Sequence, residues 1–597
     1  TAFSDPNDNA SQYLLIASNL KVVTKNLATD ATVDIAYPSG ETVPPQSSML
    51  QTFNKVFIFR KGQVALEWDG SFSTVTAGSF VVGRTYTITA VGNTDFQAIG
   101  ASADTIGVTF TATGVGSGTG TATSAFSKVA SGTYTQPTIL DISGFVITNG
   151  LATATVSNTL SQGDKVILVT AGGSTLTKGN QFTVSEASSS AFKFFVDTAD
   201  VTNQTDVEFT QKVSVGLGFT HMPAPEFAVY HQRRLVMPFQ FSVNASANSY
   251  TSRGILDEVI ASDILDSDTY DQIYAQYRFN AGEADFTVGL HSFSEDNLMV
   301  FNRNSIHLIS NTTALQSAST KLLTDEVGCI ARQTITQVGN QVIFLSDNGV
   351  YSTQFFDEYN LRGTETPLSE PINETIKRIN KDQSSQAVAV YFDNRYFIAV
   401  PLDDALRNNA ILIYNFLNKQ WESIDSVDST DWDIENLIVA GEGSQRGVYA
   451  INRLGGIHKI DARLQGDDLI NVSIGGSNET KDVKGSITTR QYTFGNMTRK
   501  NWKEFQMHVE SSADNASNFD LSAETENPDG TFTLGTLNSF NGNVNLPKAE
   551  DVSIRGRIGN RRGHGIQFTV NNTQGRPRIR SLQTQGSTSF RSTQKAE

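Results

Sequence analysis

Between about His221 and Asp461 the chain repeats one pattern: a short run of β-branched and aromatic residues closed at each end by Asn, Asp or Gly. Asn340–Tyr351, Asp393–Pro401, Ala410–Trp421, Arg446–Asn452 and Gly456–Asp461 are clear cases. Apolar runs of this length, bounded by turn formers, predict strand, tight turn, strand. Repetition over roughly 240 residues predicts the blades of a β-propeller or a comparably repetitive all-β body.

The same pattern opens the chain. Tyr13–Ala17 and Val33–Tyr37 are expected strands, and Lys55–Gly70 an expected hairpin turning near Lys61 and Gly62. Residues 1–75 are therefore assigned to the first part of the propeller-like body, which is expected to resume in 216–470. Two stretches of different texture separate these parts. Residues 76–130 alternate Thr with apolar residues between Gly-rich turns, which predicts a compact inserted β module. Residues 131–215 carry four further alternating runs, Leu151–Val156, Gly163–Leu168, Gln181–Ala187 and Ala191–Val196. They predict a second inserted module, a small sandwich or barrel. Residues 471–597 alternate again at Ile487–Phe494, Glu504–Glu510, Phe519–Glu524 and Gly565–Val570, predicting a C-terminal β-sandwich with a basic end. Helix is expected in two places. Residues 254–286 hold acidic segments around Ile255–Ile260 and Asp263–Asp268. Leu368–Ile379 offers a Ser369 cap, Pro371 near the first turn, and Ile372, Ile376 and Ile379 on one face. The expected fold class is mainly β and multidomain: a propeller-like body, inserted small β modules and a C-terminal sandwich.

Composition agrees with this picture. The 597 residues are 38% hydrophobic, with 47 Gly and only 14 Pro, as in folded globular domains. The formal net charge of −16 argues against a general nucleic-acid binder, because phosphates are drawn to Lys and Arg. It is compatible with a surface past which DNA slides without sticking. A single cysteine, Cys329, excludes an intrachain disulfide and a cysteine-based zinc site. Its apolar setting, Val327–Ala331, predicts a buried inert thiol. No run of about 18 apolar residues is present, and the opening Thr1–Pro6 lacks the basic and apolar regions of a secretory signal.

Candidate chemistry is sparse. His221, His231, His291, His307, His458, His508 and His564 are scattered, with no metal-binding spacing. The Gly114–Gly120 run lacks the Lys and the following helix of a phosphate loop. Asp263, Asp266 and Asp268 lack calcium-loop spacing and are expected to be a solvated face. No Gly-x-Ser-x-Gly elbow occurs. No catalytic, cofactor-binding or metal residue is assigned, and the chain is expected to be non-enzymatic. A carboxylate pair for glycoside cleavage would not be visible at this level. The sharpest charge feature is the basic end: Arg555, Arg557, Arg561, Arg562, Arg576, Arg578, Arg580, Arg591 and Lys595, against Asp551 and Glu597. Arg576, Arg578 and Arg580 alternate along one expected strand face. Arg555, Arg557, Arg576, Arg578 and Arg580 are the candidate subunit-interface residues; a plain solvated surface and a nucleic-acid contact are the other readings of the same residues.

Several stretches carry a family resemblance. The run Phe80–Ile88, Thr94–Ala101 and Phe110–Gly114 resembles a module inserted in structural proteins of tailed bacteriophages. Tyr230–Val236, Leu298–Ile309, Gly339–Tyr351 and Glu370–Ile372 together resemble the tail nozzle (tail tubular protein B) family of podovirus-type phages, over about 1–75 and 220–470. The chain does not show the Gln-Gln-Pro segment with which that family usually opens; either an N-terminal part is missing from the sequence, or a neighbouring family of tail-hub and stabilisation proteins is the alternative. The resemblance implies a virion tail protein without cofactor or small-molecule substrate. It implies a homohexameric ring that joins a tail adaptor protein, contacts tail fibres, retains the phage DNA and conducts it through the host envelope. The rival from another class is a carbohydrate-binding or carbohydrate-cleaving tail fibre or depolymerase.

Overall fold

The computed structural model describes residues 2–588, except 5–11, 19–20, 30, 39, 45–46, 61–62, 130–138, 163, 175, 177–180, 205, 213–217, 220–221, 223, 239–240, 245–248, 253–256, 269, 272–274, 280–284, 313–317, 358–359, 364–365, 427–432, 444–445, 454–455, 461–465, 472–478, 483–484, 497, 512–515, 527–531, 534, 537–541 and 576. Strand dominates, arranged in many small antiparallel sheets, so the fold class is mainly β and propeller-like. The chain divides into two compact units. One holds Ile35–Val327 with Asn19–Lys21; the other holds Thr1–Ser18, Val22–Asp34 and Gly328–Glu597.

In the first unit, Ser48–Thr52, Lys55–Arg60, Gln63–Trp68 and Ser127–Lys128 form a four-stranded sheet. Val229–His231, Arg234–Pro238, Glu258–Ala261 and Gln276–Arg278 form a second, and Thr287–Ser292, Asn297–Asn302, Ile306–Ser310 and Ser319–Thr324 a third. Consecutive sheets share apolar cores. Phe57, Phe59 and Ala65 pack with Leu235, Met237 and Ile260; Val236 and Val259 pack with Leu290, Leu298 and Val300. Each middle strand therefore buries side chains on both faces, as Arg234–Pro238 does throughout its length. That double burial explains why the strands read as unbroken apolar runs and not as strict alternation.

In the second unit the same build recurs. The sheets around Gln341–Ser346, Arg395–Val400 and Gly447–Asn452 follow one another in the chain. Ile343 and Leu345 pack on Tyr396, Ile398 and Leu412, while Phe397, Ile411 and Ile413 pack on Leu437, Val448 and Ala450. The N-terminal sheet, Ala2–Ser4, Gln12–Ser18, Lys21–Asn26 and Thr32–Ile35, contributes Leu14, Ile16 and Leu27 to a core with Tyr449, Ile451 and Ile457. Two-residue turns with both residues left-handed close several hairpins, among them Asp393-Asn394 and Gln232-Arg233. Asp and Asn tolerate that conformation; Gln and Arg adopt it at a cost that the flanking paired strands must offset.

The inserted stretches occupy defined places. Residues 74–124 form a four-stranded sheet, ordered Thr109–Thr111, Thr85–Ala90, Thr121–Ser124, Thr74–Thr76. Gln63–Trp68 precedes this sheet and Ser127–Lys128, paired beside it, follows, so the module stands where a hairpin turn would. Trp68 meets both Phe72 and Phe126 at the junction, with ring centroids 5.4 and 5.7 Å apart. Asp69 accepts from Ser124 Oγ at 2.6 Å and pairs with Arg84 at 2.8 Å. Strands between Ile139 and Lys212 form an eight-stranded sheet that closes over Phe145, Phe192, Phe194 and Phe209. The C-terminal strands form two sheets around Trp502, Phe505, Met507, Phe519, Leu521, Ile566 and Phe568.

The helical expectations need correction. Glu258–Ala261 is a strand, not helix, because Val259, Ile260 and Ala261 are each buried between two packed sheets. Ile255, Leu256, Glu283 and Ala284 lie outside the described residues, as do the expected turn at Lys61 and Gly62 and the resumption point at His221. At Leu368–Ile379 the helix is one short 3-10 turn, Glu370–Ile372, and a four-residue helix, Asn373–Ile376. Ser369 does not cap it. Its hydroxyl accepts from the Val350 amide at 3.0 Å, so a tertiary bond replaces the local cap. Ile376 and Ile379 are buried as expected. Cys329 is also buried, its thiol donating to the Ala331 carbonyl at 3.3 Å.

Candidate subunit interface

The basic residues gather on one sheet of the C-terminal sandwich. Its order is Gly535–Thr536, Asp551–Gly563, Lys500–Glu510, Arg578–Thr588. Along the central strand Trp502, Phe505, Met507 and Val509 are buried, while Gln506, His508 and Glu510 lie on the other, open face. Directly opposed residues share a face. Arg557 therefore stands beside Glu504, and Arg555 beside Gln506. On the other flank Arg578 stands beside Glu510.

A bulge shapes this flank. Pairing shifts between His508 and Val509, so Arg580 is an extra residue in its strand. Ile579 and Leu582 both pack on the core, which strict alternation would forbid; the bulge turns Arg580 and Ser581 outward together. Arg555, Arg557, Arg578 and Arg580 are all exposed, and Arg576 lies outside the described residues.

Acidic groups interleave with them. Arg580 donates to Glu510 from Nε at 3.1 Å and from Nη2 at 2.5 Å, and this carboxylate holds the guanidinium further up in pKa. His508 Nε2 lies 2.6 Å from Asp551 Oδ1. The face is thus a mixed lattice of cations and carboxylates, suited to a partner surface of matching alternation. Beneath it, Lys500 is buried and its Nζ donates to the carbonyls of Asn496, Thr498 and His564 at 3.0, 2.9 and 2.9 Å. This tie fastens the loop before the central strand to the turn after Asp551–Gly563.

Two buried polar clusters escaped sequence reading because their members lie far apart in the chain. Asp285, Ser305 and His307 meet in the third sheet of the first unit. Ser305 Oγ donates to Asp285 Oδ2 at 2.5 Å, and His307 Nε2 stands 3.0 Å from the same hydroxyl. The Ser proton thus goes to the carboxylate and not to the imidazole, the reverse of an activated nucleophile. Asn302 Nδ2 also donates to that hydroxyl, at 3.2 Å, and burial lowers the His307 pKa against the pull of Asp285. The cluster satisfies buried polar groups. His231, at the end of its strand, holds Ser292 Oγ at 2.7 Å and Thr312 Oγ1 at 2.6 Å. It pins the second sheet of that unit to the third. Burial brings its pKa down to about 4, with Asp296 opposing. Among the described residues no group of three His, Cys, Asp or Glu side chains could hold a metal ion, and no helix is long and apolar enough to cross a membrane.

Comparison with known proteins adds one informative match. The family model described as Phage_stabilise, Bacteriophage P22 Gp10, beta-propeller, matches residues 249–405. No curated protein matches. Among solved structures, Citrobacter koseri AztD aligns over 75% of this chain and 91% of its own, with 11% identity and a TM-score of 0.27. The phage phi92 endosialidase aligns over 74% of this chain and 58% of its own, with 10% identity and a TM-score of 0.24. The exo-beta-1,3-galactanase of Phanerochaete chrysosporium aligns over 60% and 94%, with 10% identity and a TM-score of 0.23. At such scores neither the fold nor the activity of these proteins carries over. The family match, lying on sheets of the expected build, supports a phage structural protein with a propeller-like β fold.

Proposed function

We propose that the chain is a non-enzymatic component of a phage tail, a subunit of a distal nozzle ring that retains the DNA and conducts it during ejection. The observation that carries this reading is the match of residues 249–405 to a phage stabilisation propeller. Rigid sheets with buried middle strands suit a conduit, which must bear load without local opening. A net charge of −16 suits a lumen that repels DNA and lets it slide. The ring, its adaptor above, fibres beside it and the host envelope below are the expected partners. The lattice of Arg555, Arg557, Arg578 and Arg580 with Glu504, Glu510 and Asp551 is the surface we assign to contact between subunits, since alternating charges fix register across a symmetric joint.

The test is the mass and image of the purified chain. A closed ring with an axial hole is expected. A stable monomer that cleaves glycans would overturn the reading. In the ring, Arg555→Glu with Arg557→Glu is expected to shift the mass toward smaller species; an unchanged assembly would remove this face from the interface.

A further inference from the structure

One hairpin of the second inserted module turns on an Asn-Gly pair. Gly144–Thr148 and Leu151–Thr155 pair antiparallel, and Thr148 stands opposite Leu151, so Asn149 and Gly150 are the whole turn. Both are left-handed, with φ of 50° and 75°. That is the two-residue turn Asn-Gly favours. Asn149 is exposed. Its backbone N–H donates to Asp200 Oδ1 at 2.8 Å. Asp200 immediately precedes the edge strand Val201–Gln204, which pairs with Gly144–Thr148. The Gly150 carbonyl accepts from the Val196 amide at 2.9 Å. Among the described residues, the Gly150 amide and the Asn149 carboxamide have no partner.

The pair Asn348-Gly349 is built differently. Asp347 and Asn348 make the turn between Gln341–Ser346 and Gly349–Asp357, and Gly349 itself pairs with Ser346. Gly349 is buried, and a Cβ there would run into Ser369 Oγ. The same dipeptide thus turns its glycine amide outward in one hairpin and commits it to the ladder in the other.

We propose that Asn149 is a site of spontaneous deamidation and isoaspartate formation, and that the fold spares Asn348. The Gly150 nitrogen gives up its proton to hydroxide and attacks Asn149 Cγ. The new N–Cγ bond closes a cyclic imide, and the Cγ–Nδ2 bond breaks as ammonia leaves with a proton from water. Water then opens the ring. Attack at Cγ gives aspartate; attack at the backbone carbonyl carbon gives isoaspartate, with the chain routed through Cγ. The net change is amide and water to carboxylate and ammonia, with nothing oxidised or reduced. Glycine suits the step because no Cβ shields its nitrogen, and an exposed loop tip lets the carboxamide turn toward it. Isoaspartate lengthens the backbone of a turn that has no spare residue. Either product also sets a second carboxylate near Asp200, and like charges repel. The tie to Asp200 weakens and the edge strand Val201–Gln204 loosens with it. This inference does not depend on the tail reading.

The full-length chain is held in warm, mildly alkaline buffer and digested at intervals. Mass spectrometry follows the peptides that carry Asn149 and Asn348, and an isoaspartyl methyltransferase marks isoaspartate. Conversion at Asn149 is expected to run roughly tenfold or more faster than at Asn348, where the ladder must open first. In urea the two rates should converge, because only the fold separates them. Hydrogen exchange across Val201–Gln204 should quicken as the natural chain ages and stay constant in Asn149→Gly, which keeps the turn. Equal rates in the folded chain, faster conversion at Asn348, a difference that persists in urea, or ageing that leaves that exchange unchanged overturns the proposal.

Discussion

The outer face of the inserted module and the outer face of the C-terminal sandwich are both four-stranded, antiparallel and apolar beneath. Their chemistry is opposite. The module shows threonine hydroxyls bonded to one another; the sandwich shows arginines set among carboxylates. Alternation alone makes both sheets, since either face needs only polar residues at every second position. What differs is the partner each can desolvate. Hydroxyls share hydrogen bonds with neutral groups at any ionic strength, whereas exposed charges act through a field that salt screens.

The largest effects should separate the two regions. Phe96→Ala, which removes a module ring packed 5.5 Å from Phe110, is expected to cost about 3–5 kcal/mol, and so is Phe568→Ala in the sandwich. Hydrogen exchange should show each loss confined to its own sheet; loss in both would mean that the two fold as one unit. Next, Lys500→Met removes the buried ammonium that three carbonyls share and is expected to cost the sandwich about 3 kcal/mol, read as a fall in its melting temperature. Acid should act at the buried His231. Its folded pKa of about 4 lies below the ordinary 6.5, so its neutral form stabilises the fold fully above pH 6.5. That contribution, up to about 3 kcal/mol, is lost as pH falls from 6.5 to 4, and His231→Gln should flatten the melting profile over that range. The smallest effects belong to the faces themselves. Thr87→Val should shift stability by no more than about 0.5 kcal/mol at any salt. Arg580→Ala should leave melting nearly unchanged while altering the salt dependence of assembly. A salt-dependent module or a salt-independent sandwich would break the comparison.

Much of this architecture was legible in the chain. Runs such as Gln341–Ser346 and Arg395–Val400 are strands because β-branched and aromatic residues fit a pleated sheet, and Asp393-Asn394 turns because those residues tolerate the left-handed region. The motif Thr94–Ala101 also explains itself once folded. Asp95 accepts from Ala98 N at 2.9 Å, Asp104 from Phe96 N at 2.7 Å, and Thr94 from Gly120 N at 2.8 Å. Gly120 is fixed by that contact: a Cβ there would stand 2.5 Å from the Val91 carbonyl oxygen, so its glycine serves close packing and not phosphate binding.

By itself, then, the sequence determined that the chain is mainly β, which of its apolar runs, such as Gln341–Ser346 and Arg395–Val400, are strands, and that arginines concentrate near the end, because period and composition are local properties. Tertiary structure alone decided the rest. It took Ser369 from its helix to Val350, made Glu258–Ala261 a strand between two sheets, and turned Arg580 outward through a bulge. It also set His231 between Ser292 and Thr312 and joined nine threonines from four strands into one face. Each of these depends on contacts between residues distant in the chain, and no local pattern records which distant strand will arrive.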